Sequence, residues 1–276
     1  MQNEKLPPVL VIFGPTSSGK TSLSLALADC LPTALGQEVE IVNADSRQVY
    51  VGMNIGTSKV GRETMLRVPH HGLDMRPPDR MVSLVEYQTL AVQRITEIHA
   101  RGHLPVMVGG TGSYILSVVE NWNVGEELLA GEENFRNRGK GDPRLRAAFV
   151  RPATDLKTIL RRIDRAVETM FASGLVEEVV CLAERYRLWE PARLNKNALW
   201  HTHGYREFLE LAHTFKPVRL QPAKCDLPGI MAAIQEHTRA YALRQWSWLK
   251  KMPPVKPVSD GKGAAAVVKE LLAEQS

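Results

Sequence analysis

Gly14-Pro15-Thr16-Ser17-Ser18-Gly19-Lys20-Thr21 fits the spacing G-x-x-x-x-G-K-[ST] of a phosphate-binding P-loop. Its flanks are the ones that spacing requires. Leu10-Val11-Ile12-Phe13 is a short apolar run that reads as a buried parallel strand, and Ser22 to Ala28 reads as the start of a helix that ends near Pro32. Gly14 and Gly19 let the backbone curl so that successive N–H groups face an anion, and the helix N-terminus adds its partial positive charge. Lys20 brings a full charge to the outer phosphates, and the Thr21 hydroxyl is suited to hold Mg²⁺. These residues predict a diphosphate or polyphosphate site. They leave open what becomes of the phosphates.

Outward from the loop, Val39 to Val42 reads as a second strand running into Asn43-Ala44-Asp45-Ser46-Arg47-Gln48-Val49-Tyr50. Ligands of an open parallel sheet sit beyond the carboxyl ends of its strands, which places Asp45 on the same rim as the P-loop. A carboxylate there can hold a metal-bound water or accept a substrate proton; the alternative is a cap on the next element. Gly56-Thr57-Ser58-Lys59 falls in a loop. His70 and His71 are adjacent, and neighbours on a strand face opposite ways, so loop packing is expected rather than a shared metal.

Ser83-Leu84-Val85-Glu86 is a capping box that opens a helix to about Arg101, with Gly102 at its end. Leu104 to Val108 is a third strand and ends in Gly109-Gly110-Thr111-Gly112. A switch or motor NTPase carries a metal-binding Asp at the end of such a strand, and here there are glycines. Residues 121–143 read as a loop with no sustained period. Ala147 to Val150 reads as a fourth strand, and Val255 to Val258 as a closing one. Between them, residues 153–252 read as mostly helical. One helix spans Asp155 to Ser173, a second Leu175 to Trp189, and a long one about Gly229 to Lys251. Gly204-Tyr205-Arg206-Glu207 marks a helix entrance. Nothing near His201 and His203 in sequence completes a metal set.

The chain has 276 residues, an apolar fraction of 44% and a net charge of +5. These values fit one α/β domain spanning 1–276, and no run is long and apolar enough to span a membrane. The N-terminus lacks a secretory pattern, and Cys30, Cys181 and Cys225 are widely spaced. A cytoplasmic protein is expected. The charge is segregated. Arg136 to Arg165 holds ten Lys/Arg against three Asp, and Arg239 to Lys256 holds five Lys/Arg and no acid. Such stretches suit a phosphate backbone or simply form solvated helix faces.

Taken together, GPTSSGKT (14–21), NADSRQVY (43–50), GTSK (56–59), PHHGLD (69–74) and VGGTGSYI (108–115) resemble the tRNA dimethylallyltransferase family. RRIDRAVETMFASGLVEEV (161–179), GYRE (204–207) and TRAYALRQWSWL (238–249) extend the resemblance, in family order, across the chain. It implies a P-loop kinase-like fold, a parallel sheet flanked by helices with helical additions. It implies transfer of a dimethylallyl group from dimethylallyl diphosphate to the amine of the adenosine beside the anticodon, with Mg²⁺ as cofactor, tRNA as partner and a monomer. By the same resemblance Asp45 accepts the amine proton, Lys20 and Thr21 act on the diphosphate with the rest of the loop (Gly14, Pro15, Thr16, Ser17, Ser18, Gly19), and Arg239 assists them. Ser46, Arg47, Gln48, Gly204, Tyr205 and Arg206 then bind the nucleotide, and Thr111 contacts tRNA at the channel.

Two departures stand out. Only 46 residues separate Tyr114 from Arg161, where the family carries a long helical insertion. Leu243 and Ser247 stand where the family has Lys and Thr. Relatives that prenylate free adenine nucleotides also lack the insertion, so a cytokinin-type enzyme acting on AMP, ADP or ATP stays open as the alternative. A P-loop nucleotide kinase and a non-catalytic RNA-binding protein are the readings from other classes.

Overall fold

Val9 to Phe13 are all fully buried, as a strand covered on both faces must be. In the computed structural model, which describes residues 6–123, 139–214 and 226–273, they form β1 (Pro8–Phe13), an inner strand of a six-stranded sheet. The others are β2 (Val39–Asn43), β3 (His70–His71), β4 (Leu104–Gly109), β5 (Arg146–Pro152) and β6 (Lys256–Val258). Their order is β3-β2-β4-β1-β5-β6, and each pairing is parallel. β2, β3 and β4 lie on one side of β1 and the later β5 and β6 on the other, so β1 ends at the switch point where an open α/β sheet binds ligands.

Alternation along β1 feeds two cores. Val9, Val11 and Phe13 join Tyr87, Ala91 and Ile95 of α3 (Leu84–Ala100) and Tyr114 and Ile115 of α4 (Gly112–Val119). Leu10 and Ile12 face the other way, to Leu23, Leu27 and Leu31 of α1 (Lys20–Leu35) and to Ala264 and Val268 of α10 (Gly261–Ala273). A third, small cluster joins Ile159 and Ile163 of α5 (Leu156–Ala172) to Ala242 of α9 (Leu227–Trp248).

Between β2 and β3 lies α2 (Arg62–Arg67). The helical part that follows β5 contains α5, α6 (Leu175–Tyr186), α7 (Pro191–Leu194), a 3-10 turn at Ala198–His201, α8 (Arg206–Thr214) and α9. The capping box is formed as expected: Ser83 accepts from the Glu86 N–H, and the Glu86 carboxylate accepts from the Ser83 N–H. Two local expectations change, and one helix is added. α1 continues through Pro32 and stops at Gly36, whose left-handed backbone lets its N–H reach the Pro32 carbonyl. His70 and His71 form a two-residue strand rather than a loop, because β2 offers its free edge there. α10 follows the closing strand and covers α1. Of the expected loop at 121–143, residues 124–138 lie outside the described residues; Trp122 and Lys140 form an antiparallel bridge across it.

Candidate active site

The P-loop leaves β1 and enters α1 through two left-handed residues, Ser17 at φ 59° and Gly19 at φ 99°. That backbone turns consecutive N–H groups to one side and builds an anion nest. Lys20 is half-buried and donates from Nζ to the Pro15 carbonyl at 2.7 Å. Burial lowers its pKa to about 8, against the opposing pull of the Asp45 charge. The loop is braced from outside. Thr154 Oγ1 donates to the Ser18 carbonyl at 3.0 Å, and the Thr16 N–H donates to Gln245 Oε1 of α9 at 2.8 Å.

Gln245 is itself buried, and its Nε2 donates to the Gly110 carbonyl at 3.0 Å. This explains the glycines at the end of β4. A Cβ on Gly110 would sit 2.2 Å from Gln245 Nε2, and one on Gly112 would sit 2.3 Å from the Trp248 ring. The strand end that lacks a carboxylate is the surface on which α9 lies.

Two cavities open here. The larger, about 730 Å³, is lined by Thr16 to Leu23 with Asp45, Thr154, Arg162, Ser259 and Asp260 among its further walls. The smaller, about 310 Å³, is lined by Arg47, Thr202, His203, Tyr241 and Arg244 among others. Thr16, Asp45, Thr57 and Ser58 belong to both. Asp45 therefore stands on the partition. Its Oδ1 accepts from the Arg47 N–H at 2.9 Å, so the carboxylate is also the local cap that a structural reading would assign it. Burial, with the nearby Asp45 charge, pushes the Tyr241 phenol up to about 12, so it stays a hydrogen-bond donor.

Thr21 is exposed on the wall of the larger cavity. With the carboxylates of Asp45 and Asp260 it offers the hard oxygen donors that suit Mg²⁺. Ser46 and Thr111 are buried side by side: the Ser46 N–H donates to Thr111 Oγ1 at 3.0 Å, and Thr111 Oγ1 donates to Ser46 Oγ at 3.2 Å. Gln48 lines the larger cavity and donates from Nε2 to the Thr57 carbonyl at 3.0 Å.

The remaining expected residues stand elsewhere. Gly204, Tyr205 and Arg206 line neither cavity, although Thr202 and His203 just before them line the smaller one. Tyr205 is buried, and its hydroxyl donates to Glu178 Oε1 at 2.6 Å. The same carboxylate accepts from the N–H groups of Asn54, Ile55 and Gly56, so Tyr205 helps to hold the loop that carries Thr57 and Ser58. Arg206 lies near Trp200 and pairs with Glu210. Arg239 is also on neither wall; it pairs with Asp164 and fastens α9 to α5. Arg244, five residues on, diverges and faces the smaller cavity.

Arg162 was legible only as part of a basic stretch, yet it lines the larger cavity beside Gly19. Its place one residue before buried Ile163 on α5 is the signal that separates it from Arg161. His203, Glu207 and His237 come together in the fold, because α9 brings an imidazole from far along the chain to a histidine and a carboxylate four residues apart.

Comparison with known proteins adds an independent finding. The family described as "IPP transferase" matches residues 48–149 and 132–252. A tRNA dimethylallyltransferase of a Roseiflexus species is 31% identical over 302 residues, covering 90% of this chain and 92% of the relative. One from Symbiobacterium thermophilum is 33% identical over 298 residues, covering 88% and 86%. Among solved structures, a full-length tRNA isopentenylpyrophosphate transferase from Bacillus halodurans superposes with a TM-score of 0.75 at 24% identity, covering 97% of each chain. A eukaryotic dimethylallyltransferase acting on tRNA gives 0.71 at 22% identity, covering 88% of this chain and 70% of that one. At those identities the structures speak for the fold.

Proposed function

Because the chain belongs to the IPP transferase family, we propose that it transfers a dimethylallyl group from dimethylallyl diphosphate to the exocyclic amine of the adenosine adjacent to the anticodon in tRNA. The observation that carries this reading is the position of Asp45 on the partition between a P-loop cavity and a second, smaller one. A prenyl transfer needs the diphosphate on one side of a proton acceptor and a nucleobase on the other.

In this reading the larger cavity receives the donor. The P-loop amides, Lys20 and Arg162 take up the charge that develops on the leaving diphosphate as its bond to the allylic carbon breaks. Thr21, with Asp45 and Asp260 near it, would hold Mg²⁺, which supplies further charge neutralisation to a diphosphate when bound. The smaller cavity receives a base turned out of its stack, since the amine is out of reach within one. As the new carbon–nitrogen bond forms, the amine proton passes to the Asp45 carboxylate. Arg47, Tyr241 and Arg244 stand around that base. Arg239 acts on the site through Asp164 and the placement of α9.

Relatives over most of the chain's length are named for tRNA, which favours tRNA over a free nucleotide as acceptor. The basic stretches supply counter-charge for its backbone. Among the described residues no helix is long and apolar enough to cross a membrane, and a monomer in the cytoplasm is the setting proposed. The test is direct. The purified protein is given dimethylallyl diphosphate with unmodified tRNA, AMP, ADP or ATP in separate reactions. Transfer to tRNA that falls steeply with added salt, with AMP a poor acceptor throughout, supports the reading. Efficient, salt-insensitive prenylation of AMP or ADP overturns it in favour of the nucleotide enzyme.

A further inference from the structure

We propose that His203, Glu207 and His237 form a binding site for a divalent transition metal of the zinc class, set beside the smaller cavity and separate from the Thr21 site. The proposal stands apart from what either cavity receives. His203 lies just before α8, Glu207 in its first turn, and His237 on α9. His203 Nδ1 is 3.1 Å from Glu207 Oε1, and His237 Nδ1 is 2.8 Å from the same oxygen. The three ligand atoms all lie within 4.8 Å of one another. Metal–ligand bonds of the zinc type put tetrahedral donors roughly 3.3 Å apart, so the two nitrogen–oxygen distances need only a slight opening to admit an ion.

The donor set points to the class of metal. Two imidazoles and a carboxylate suit zinc, cobalt, nickel or copper, whereas magnesium and calcium require all-oxygen shells. Each imidazole can carry its proton on Nε2, which leaves Nδ1 free to ligate while the ring stays neutral. Glu207 is buried, and the Gly204 N–H donates to its other oxygen at 2.8 Å, so the carboxylate is held in place. The two rings are partly exposed, which gives an ion a way in. His203 also lines the smaller cavity, as do Thr202 from the same loop and Tyr241 from α9. A bound ion would tie those two walls together.

The test uses the full chain, without an affinity tag and stripped of metal, titrated with Co²⁺ and followed by visible absorption and calorimetry. The expected result is one cobalt ion per chain in a low-symmetry nitrogen–oxygen site, displaced by Zn²⁺, with affinity weakened at least about tenfold in His203→Ala and in His237→Ala. His237→Gln keeps a hydrogen-bond donor for Glu207 while removing a good ligand, so loss of cobalt in that variant at unchanged thermal midpoint separates ligation from folding. His71→Ala, in the other His–Glu cluster around Glu40, should bind cobalt as the wild type does. No cobalt binding by the wild type, equal binding by His237→Gln, or loss of binding in His71→Ala would each overturn the site.

Discussion

Gln245 accepts a hydrogen bond from the backbone N–H of Thr16 at 2.8 Å, across 229 residues of chain. The other end of its amide donates to Gly110. One side chain of α9 thus fixes the phosphate loop against the end of β4, and the site is held between the first strand and the last long helix.

Replacing Gln245 by Leu leaves the Gly110 carbonyl and the Thr16 N–H without their partner. A buried group left unpaired costs about 1–3 kcal/mol. Thermal unfolding should show that loss. Affinity for inorganic diphosphate should fall with it, since the loop loses its brace; a variant that binds diphosphate as the wild type does would show that the loop holds its shape alone.

Lys20 predicts a pH dependence. Its pKa in the ligand-free protein is lowered to about 8 by burial, so it loses its proton as the pH climbs through that value. Diphosphate affinity should decline above about pH 8 and flatten below it. The unfolded chain keeps the proton to about 10.5, so the ligand-free fold gains stability as the pH rises from about 8 towards that limit. Lys20→Ala should bind diphosphate more weakly by about 1.5–3 kcal/mol and show neither trend near pH 8. Calorimetry with inorganic diphosphate on both sides of pH 8 measures the first trend, and denaturation of the ligand-free protein between about pH 8 and 10 measures the second.

Asp45→Asn keeps an oxygen for the Arg47 N–H, so the turn should survive. The chemical step should slow by about 10²–10⁴. Single-turnover rates with saturating donor separate the two roles of the carboxylate: an unchanged rate at unchanged stability would make it a cap alone.

Glu40 anchors the far edge of the sheet. Its buried carboxylate accepts from both Arg101 nitrogens at 2.8 Å and meets His71 and His103. Burial opposes its ionisation, but Arg101 and the two histidines prevail and hold its pKa at about 2. A carboxyl depressed on folding stabilises the protein above its unfolded value of 4.5 and ceases to do so as the pH falls through about 2. Glu40→Gln should therefore cost about 1–3 kcal/mol at neutral pH and shrink to little in strong acid, as chemical denaturation at several pH values would report.

The strands other than β3, the phosphate loop and the capped helix were legible because their signals are local: a run of apolar residues, a fixed glycine spacing, a Ser and a Glu three apart. Arg239 and Arg244 are five residues apart on α9, about 140° around the helix, and Arg239 turns to α5 while Arg244 turns to the cavity. What stayed hidden depends on pairs distant in sequence. Gly110 and Gly112 mark a close approach, but nothing local says that Gln245 and Trp248 make it. His237 joins His203 and Glu207 only once α9 has crossed α8. Tyr205 resembles a nucleotide-binding residue in its motif, whereas its hydroxyl is spent on Glu178, a partner set by the packing of α6.

The placing of β6 and α10 bears on how the protein is made. α1 carries the phosphate loop at its head and buries Leu23, Leu27 and Leu31 against Ala264, Ala265 and Val268 of α10, while β5 waits for β6 at its open edge. A chain still on the ribosome completes its diphosphate-binding motif at Thr21, but it lacks the cover for the helix behind it until residues 261–273, which begin 240 positions later, have left the exit tunnel. Until then a greasy strip of α1 is open to chaperones and the neighbouring β5 edge to stray strands. Translation must run through α10 before α1 is covered.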